Sequence, residues 1–234
     1  MSVLVVIAAL NEEKGIGPTI AEVQQSLYGP RILVVDGRST DKTVEIAKDM
    51  GAEVIIQKGK GKGDAISQAI KHVNLSKVDY VVFIDADYTY PATALPEMIK
   101  VMENTPYAGM VCGNRFTGNL SLGKMHKTLL IGNKSIAFLH KLMNNVNMRD
   151  PLTGLRVVRS EILRDWKPKS KGFDIEVELN RWVKRKGYVI IEVPIKYRQR
   201  LGEKKLKIRH GLIILKRIVL GFFYDMLLLV KLHE

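Results

Sequence analysis

Two aspartates one residue apart, Asp85-Ala86-Asp87, follow directly on the apolar run Tyr80-Val81-Val82-Phe83-Ile84. Where a chain leaves a buried strand, such carboxylates offer hard oxygen donors to Mg²⁺ or Mn²⁺. Cations of this kind take one or two carboxylates and complete their shell with phosphate oxygens and water. A solvated turn is the plain alternative, because Asp is common in turns. Asn11-Glu12 follows the first apolar run of the chain, and Asp36 the second. At strand ends these groups can accept hydrogen bonds from a nucleotide base or from ribose hydroxyls. A helix cap at Asn11 and a turn at Asp36-Gly37 are the alternatives there. The stretch Lys58 to Gly63 alternates Lys and Gly. Glycines allow close backbone approach and lysines supply charge for phosphates. No Gly-Lys-Ser/Thr at Walker spacing occurs, and a mobile solvated loop is the other reading.

The elements that must position these residues are legible as an alternation. Val3 to Ala8 is a continuous run with β-branched residues, as a buried parallel strand should be. Further strands are expected at Ile32 to Val35, Val54 to Ile56, Tyr80 to Ile84 and Met110 to Cys112. Between them, helices are expected from Pro18 to Leu27, where proline suits a first turn, and from a Ser39 or Thr40 cap to Met50, stopped by Gly51. Two more follow, from Asp64 to Val73 and from Ala92 to Glu103. This alternation predicts an α/β fold, an open parallel sheet with helices on both faces. In such sheets ligands lie beyond the C-terminal strand ends, where Asn11, Asp36, Asp85 and Asp87 fall.

The second half is less regular. Thr128 to Met143 and Ile175 to Lys186 read as helices, Asp150-Pro151-Leu152-Thr153-Gly154 as a polar turn, and Val189 to Tyr197 as a strand. Gly211 to Val230 is apolar but carries Lys216, Arg217 and Asp225. Three charges argue against a simple span, each being costly in hydrocarbon. A helix lying in the membrane interface, or packed on a partner, is the favoured reading. Burial in the chain's own core is the alternative.

The 234 residues, 46% apolar, suffice for one α/β core with a short appendage. The N-terminus lacks the basic leader of a signal peptide. The one cysteine, Cys112, lies in an apolar run and reads as core. It cannot form an internal disulfide, so a reducing compartment is natural. The net charge of +13 implies an anionic partner: nucleotide, lipid phosphate, acidic membrane surface or nucleic acid. Nucleic acid is set aside, since no basic face interleaved with aromatics and no recognised binding motif occurs. His72, His140, His210 and His233 lack metal-ligand spacing, and Trp166 and Trp182 read as packing residues.

Four segments together resemble the family 2 inverting glycosyltransferases, with their Rossmann-like GT-A fold. They are Ala8-Ala9-Leu10-Asn11-Glu12, Val34 to Asp41, Lys62-Gly63-Asp64-Ala65 and Asp85-Ala86-Asp87. Within that family the chain looks like the dolichyl-phosphate mannose and glucose synthases, through Gly113-Asn114-Arg115-Phe116, Asp150 to Leu155 and Gly202 to Lys207. The resemblance implies a mostly parallel sheet in a catalytic domain over 1–209, with a nucleotide-sugar half (1–115), an acceptor half (116–209) and an appended helix (210–234). It implies nucleotide-sugar contacts from Ala8, Leu10, Asn11, Glu12, Asp36, Lys62, Asp64, Asp85 and Ala86. It implies a metal on Asp85 and, chiefly, Asp87. Acceptor phosphate contacts are expected from Arg115, Lys127, Arg200 and Lys205, with Asp150 beside the transferred sugar.

The expected reaction moves a hexose from GDP-mannose, UDP-glucose or a UDP-N-acetylhexosamine to a polyprenyl phosphate at the cytoplasmic face of a membrane. A soluble enzyme of the same fold with a saccharide or small-molecule acceptor is the alternative. Three positions depart from the pattern. Gly37 stands where relatives often carry a second Asp, Tyr88-Thr89-Tyr90 replaces Leu-Gln-His, and Lys204 replaces a small Ser.

Overall fold

Seven strands join in one sheet in the computed structural model, which describes residues 1–116, 127–203, 205 and 208–231, with backbone alone at 127–129, 208–209 and 228–231. The strands are β1 (Val3–Ala9), β2 (Arg31–Asp36), β3 (Glu53–Ile56), β4 (Tyr80–Asp85), β5 (Ala108–Asn114), β6 (Arg156–Arg159) and β7 (Val189–Pro194). Their spatial order is β3-β2-β1-β4-β6-β5-β7. The helices are α1 (Glu13–Ser26), α2 (Thr43–Asp49), α3 (Lys62–His72), α4 (Leu95–Glu103), α5 (Lys127–Asn144), α6 (Ser160–Arg164), α7 (Ile175–Arg185) and α8 (Ile208–Lys231).

Alternation along each strand builds two cores. Val3, Val5 and Ile7 of β1 and Val82 and Ile84 of β4 pack with Ile16, Ile20 and Val23 of α1 and Leu95 and Met98 of α4. Leu4 and Val6, with Val81 and Phe83, point the other way, onto Ala65, Ile66 and Ala69 of α3 and Ile175, Leu179 and Val183 of α7. Cys112 lies in this second core, where burial pushes its thiol up to about 12. Trp166 is buried in the same core, and Trp182 donates its ring N–H to the Ile162 carbonyl at 2.7 Å.

Several expectations need correction. The sheet is mostly parallel, as the family resemblance implied, but not wholly so: β6 runs antiparallel between β4 and β5. Its four residues hold only two apolar side chains between Arg156 and Arg159, so it lacks the run that marks a buried strand. Helix α1 begins at Glu13, not Pro18, because the Glu12 carbonyl already accepts from the N–H groups of Gly15 and Ile16. Pro18 is tolerated on the exposed side of this helix. Ser39 and Thr40 do not cap α2, which starts at Thr43 without a side-chain cap on Lys42; both are drawn instead to Asp36 and Asn11. Lys58 to Gly61 form a turn, and Lys62 and Gly63 open α3. Gln57 Nε2 donates to the Gly61 carbonyl and to Asp64, both at 2.8 Å.

Helix α8 docks on the body through a narrow stripe. Ile214 and Ile218 pack with Ile136 of α5 and Val177 of α7. Two of its charges are used in docking: Arg217 reaches Asp174 at 2.8 Å, and Asp225 accepts from Arg181 at 2.7 and 2.5 Å. Ile214 and Ile218 are buried, whereas Leu212, Phe223 and Leu227 remain 70%, 52% and 62% exposed. Among the described residues, no helix is long and apolar enough to cross a membrane.

Candidate active site

The strand register gathers the chemistry. Ala8 lies opposite Asp85 across β1 and β4, and Ala9 lies opposite Asp36 across β1 and β2. The three segments that follow, starting at Leu10, Gly37 and Ala86, therefore leave the sheet at one level. The path reverses here, β2 lying on one side of β1 and β4 on the other, which opens a crevice at the carboxyl ends. A cavity of about 850 Å³ fills it.

Six expected nucleotide-sugar residues line this cavity: Ala8, Leu10, Glu12, Lys62, Asp85 and Ala86. Helix α1 presses on its floor at Gly15, where any β-carbon would meet the Ala86 carbonyl oxygen at 2.5 Å and the Asp87 α-carbon at 2.7 Å. The other three serve as supports. Asp36 is fully buried, its carboxylate accepting from the N–H (2.8 Å) and the hydroxyl of Ser39. Ser39 in turn accepts from the Asn11 N–H at 2.8 Å, and Asn11 Oδ1 accepts from the Thr40 N–H at 2.8 Å. Asn11 takes up a positive φ of 48° in this knot, a conformation that Asn tolerates better than most residues. Asp64 receives Gln57 Nε2 and the Gly59 N–H, and so shapes the turn before α3.

The carboxylates are matched by cations. Lys62 Nζ lies 2.5 Å from Asp85 Oδ1 and 2.7 Å from Glu176 Oε1. Burial opposes the charge on Lys62, but Asp85 and Glu176 outweigh it and raise its pKa; burial likewise opposes ionisation of Asp85, yet Lys62 holds that carboxyl below its usual range. Asp87 accepts from the N–H and hydroxyl of Thr89 through Oδ1 and from Arg200 Nε at 2.7 Å through Oδ2. Glu12 is paired with Lys205, and burial still raises its pKa.

Arg115 and Asp150 form a separate pair. Arg115 donates through Nε and Nη2 at 2.7 Å each to the fully buried Asp150 carboxylate, and its own N–H donates there at 3.1 Å. The Asp150 turn is held from behind by the buried Arg156, which donates to the carbonyls of Thr153 and Pro151 at 2.9 Å. Gly154 packs against Asp85, and its N–H donates to the Tyr90 hydroxyl at 2.7 Å.

The expected phosphate-binding cations have different partners, although the charges of both Arg115 and Arg200 act on Asp85. Arg115 stands with Asp150, whereas Arg200 and Lys205 face Asp87 and Glu12, and the side chain of Lys127 lies outside the described residues. Sequence reasoning missed Glu176, which nothing local marks: it sits in an ordinary helix 114 residues from Lys62. It also missed Phe173, His210, Ile213 and Arg217, which extend the cavity to α8.

The donor set suits a divalent cation held jointly with a ligand. Among the described residues no three His, Cys, Asp or Glu side chains gather to enclose a metal. Asp85 lines the cavity and supplies a hard oxygen there, whereas Asp87, two residues on, is 2% exposed with its carboxylate taken by Thr89 and Arg200, so a cation shared with diphosphate oxygens would have to displace Arg200 to reach it.

Comparison with known proteins gives the family and the fold. The family model for glycosyl transferase family 2 matches residues 4–166. A dolichyl-phosphate hexose transferase of Haloferax volcanii is 35% identical over 206 residues, covering 86% of this chain and 85% of that one. Glycosyltransferase AglJ of the same organism is 32% identical over 197 residues, 84% of this chain and 63% of its own length. Glucosyl-3-phosphoglycerate synthase from Mycobacterium tuberculosis, solved with Mn²⁺, UDP-glucose and phosphoglyceric acid, superposes with a TM-score of 0.73 at 20% identity, covering 94% of this chain and 79% of that one. The chain belongs to glycosyl transferase family 2. It is a glycosyltransferase with the GT-A fold.

Proposed function

We propose that the chain transfers a hexose from a nucleotide-sugar to a polyprenyl phosphate, with inversion, at the cytoplasmic face of a membrane. The observation that carries this reading is the placing of Asp85 at the end of β4, opposite Ala8 of β1 and in a cavity rimmed by Lys62, Arg200 and Lys205, with Asp87 two residues on. The name of the Haloferax relative supports a dolichyl phosphate acceptor, and the ligands of the mycobacterial enzyme support a nucleotide-sugar with a divalent metal.

In this reading Asp85 and Asp87 hold Mg²⁺ or Mn²⁺ together with the donor diphosphate, and the cation supplies charge stabilisation to the departing nucleoside diphosphate. Glu12 and the Leu10–Asn11 backbone bind the nucleoside, braced by Asp36 through Ser39. Lys62 neutralises diphosphate charge from the α3 side. Arg115, steered by Asp150, receives the acceptor phosphate. A phosphate monoester, with its second pKa near ~6, is largely dianionic at neutral pH and attacks without a strong general base. The remaining tasks are positioning and electrostatic stabilisation. The exposed apolar stripe of α8 lies in the membrane interface, beside Ile213 and Phe173 at the cavity mouth.

The test is a thermal-shift screen of GDP, UDP and their sugars with Mn²⁺ or Mg²⁺, since a bound ligand stabilises by mass action. One nucleotide should respond strongly, with a metal-dependent part that Asp87→Ala removes. An unchanged metal dependence in that variant would reject the assigned ligand role.

A further inference from the structure

A second cavity, of about 430 Å³, lies between α5, α7, α8 and the 165–169 segment; it shares Lys169 and Arg217 with the first but not the carboxylate pair. Two groups at its wall lack partners. His140 is 1% exposed with neither ring nitrogen hydrogen-bonded, and Asn144 Oδ1 receives no donor, although Asn144 Nδ2 donates to the Ile218 carbonyl at 3.2 Å. Burial, with the charges of Arg156 and Arg181 nearby, lowers the His140 pKa to about 3. The ring is therefore neutral at physiological pH and offers one donor and one acceptor. Buried polar groups are seldom left unpaired, so this wall calls for a ligand that can both give and accept hydrogen bonds.

The rim is basic. Lys169, Arg181 and Arg185 stand 5.3, 5.4 and 5.3 Å from the centre of the Tyr224 ring, and Lys167 lines the same cavity. The acids nearby are already engaged. Asp225 takes Arg181 and Arg185, Asp165 takes Lys186 at 3.1 Å, and Glu178 accepts from the backbone N–H groups of Lys169 and Ser170 at 2.7 Å. Leu220 and Tyr224 line the cavity and are themselves 50% and 45% exposed, so the cavity opens beside the apolar stripe of α8.

We propose that this cavity binds the phosphate and hydroxyls of an anionic polyol lipid headgroup. The phosphate would lie among Lys167, Lys169 and Arg185, with the hydroxyls against His140 and Asn144, while the acyl chains follow the exposed face of α8. The proposal rests on the membrane-facing reading of α8 but not on the transfer reaction. A soluble glycerol phosphate carries the same polar chemistry, and the experiment separates the two sources.

The full chain is sedimented with phosphatidylcholine vesicles containing either phosphatidylglycerol or an equal charge of phosphatidylserine. Binding should favour phosphatidylglycerol. Lys167→Gln combined with Arg185→Gln should weaken it about thirtyfold, the factor for two cations near an anionic surface. The same change at the exposed Lys14 and Lys71 should do far less. His140→Phe should keep charge-driven binding but lose the headgroup preference. Nucleotide-dependent thermal shifts verify that each variant folds with its donor site intact. Equal binding of the two headgroups, undiminished in the Lys167/Arg185 variant, overturns the proposal. Soluble glycerol phosphate that displaces the chain from vesicles and stabilises it as strongly as they do overturns the lipid assignment. A chain that binds these vesicles selectively but transfers no sugar upholds this inference and defeats the proposed reaction, so the two fail separately.

Discussion

Arg200 Nε donates to Asp87 Oδ2 at 2.7 Å across 113 residues of chain. The contact is part of a strap: the Leu201 N–H donates to the Asp87 carbonyl at 3.2 Å and the Arg198 N–H to the Thr89 carbonyl at 2.9 Å. The segment after β7 is thus pinned over the Asp85-Ala86-Asp87 edge. Its guanidinium sits on the carboxylate to which the proposed cation would bind.

That contact sets the first expectation. Arg200→Ala should strengthen Mn²⁺ binding in the absence of nucleotide, because the Asp87 carboxylate loses its competing cation. Turnover should nevertheless fall by about 10² if Arg200 also steadies the departing diphosphate. Calorimetric titration with Mn²⁺ and a transfer assay read the two effects. Unaltered metal affinity would show that the pair does not compete with the cation.

Lys62 stands between Asp85 and Glu176, and its side chain is 13% exposed. Lys62→Ala leaves these two acids uncompensated. Breaking a buried pair from one side costs about 3–5 kcal/mol, and the lower end applies because Asp85 keeps 28% side-chain exposure. Urea unfolding should show the loss. Glu176→Gln should be milder, raising KM for the donor several-fold with little change in kcat.

How far the site was legible follows from where its signals lie. Asp85, Asp87 and Glu12 follow apolar runs, so their place at or just past strand ends could be read from the sequence, and the register of β1 with β4 sets Asp85 opposite Ala8. Lys62 was expected at the donor only through the family resemblance, for the helix was expected from Asp64, whereas α3 opens at Lys62 itself. Glu176, and the match of Lys205 to Glu12, could not be read, because they join segments far apart that carry no common pattern. The antiparallel β6 was hidden for another reason. Arg156 and Arg159 mimic a polar stretch, yet both are used internally, Arg159 donating to the Ala108 carbonyl at 2.7 Å and the Met102 carbonyl at 2.8 Å. Helix α8 looked ambiguous because its charges seemed unexplained; Arg217 and Asp225 find their partners only in the folded chain.

Arg115 grips Asp150 with two parallel bonds of 2.7 Å. Lysine cannot reproduce that planar fork. Arg115→Lys should therefore raise KM for polyprenyl phosphate while the nucleotide-dependent thermal shift stays unchanged. A variant with normal acceptor KM would remove Arg115 from the acceptor site.

His140 gives a pH expectation. Its pKa falls from 6.5 to about 3 on folding, so below pH 6.5 the unfolded chain binds the extra proton. The contribution of a neutral His140 is thus complete above pH 6.5 and is lost as the pH falls toward 3, at up to about 1.4 kcal/mol per pH unit. Denaturant unfolding across that range should show a shallower acid loss in His140→Phe than in the parent chain. Parallel curves would place the ring in water-accessible surroundings.

The most direct test of the whole account is transfer itself. The full chain is incubated in detergent with a polyprenyl phosphate, Mn²⁺ and, in parallel, labelled GDP-mannose, UDP-glucose and UDP-N-acetylglucosamine, and the lipid phase is then extracted. The account predicts label in that phase from one donor, dependent on the metal and absent with Asp87→Ala. Label that enters no lipid from any donor, or that enters equally with Asp87→Ala, would contradict it.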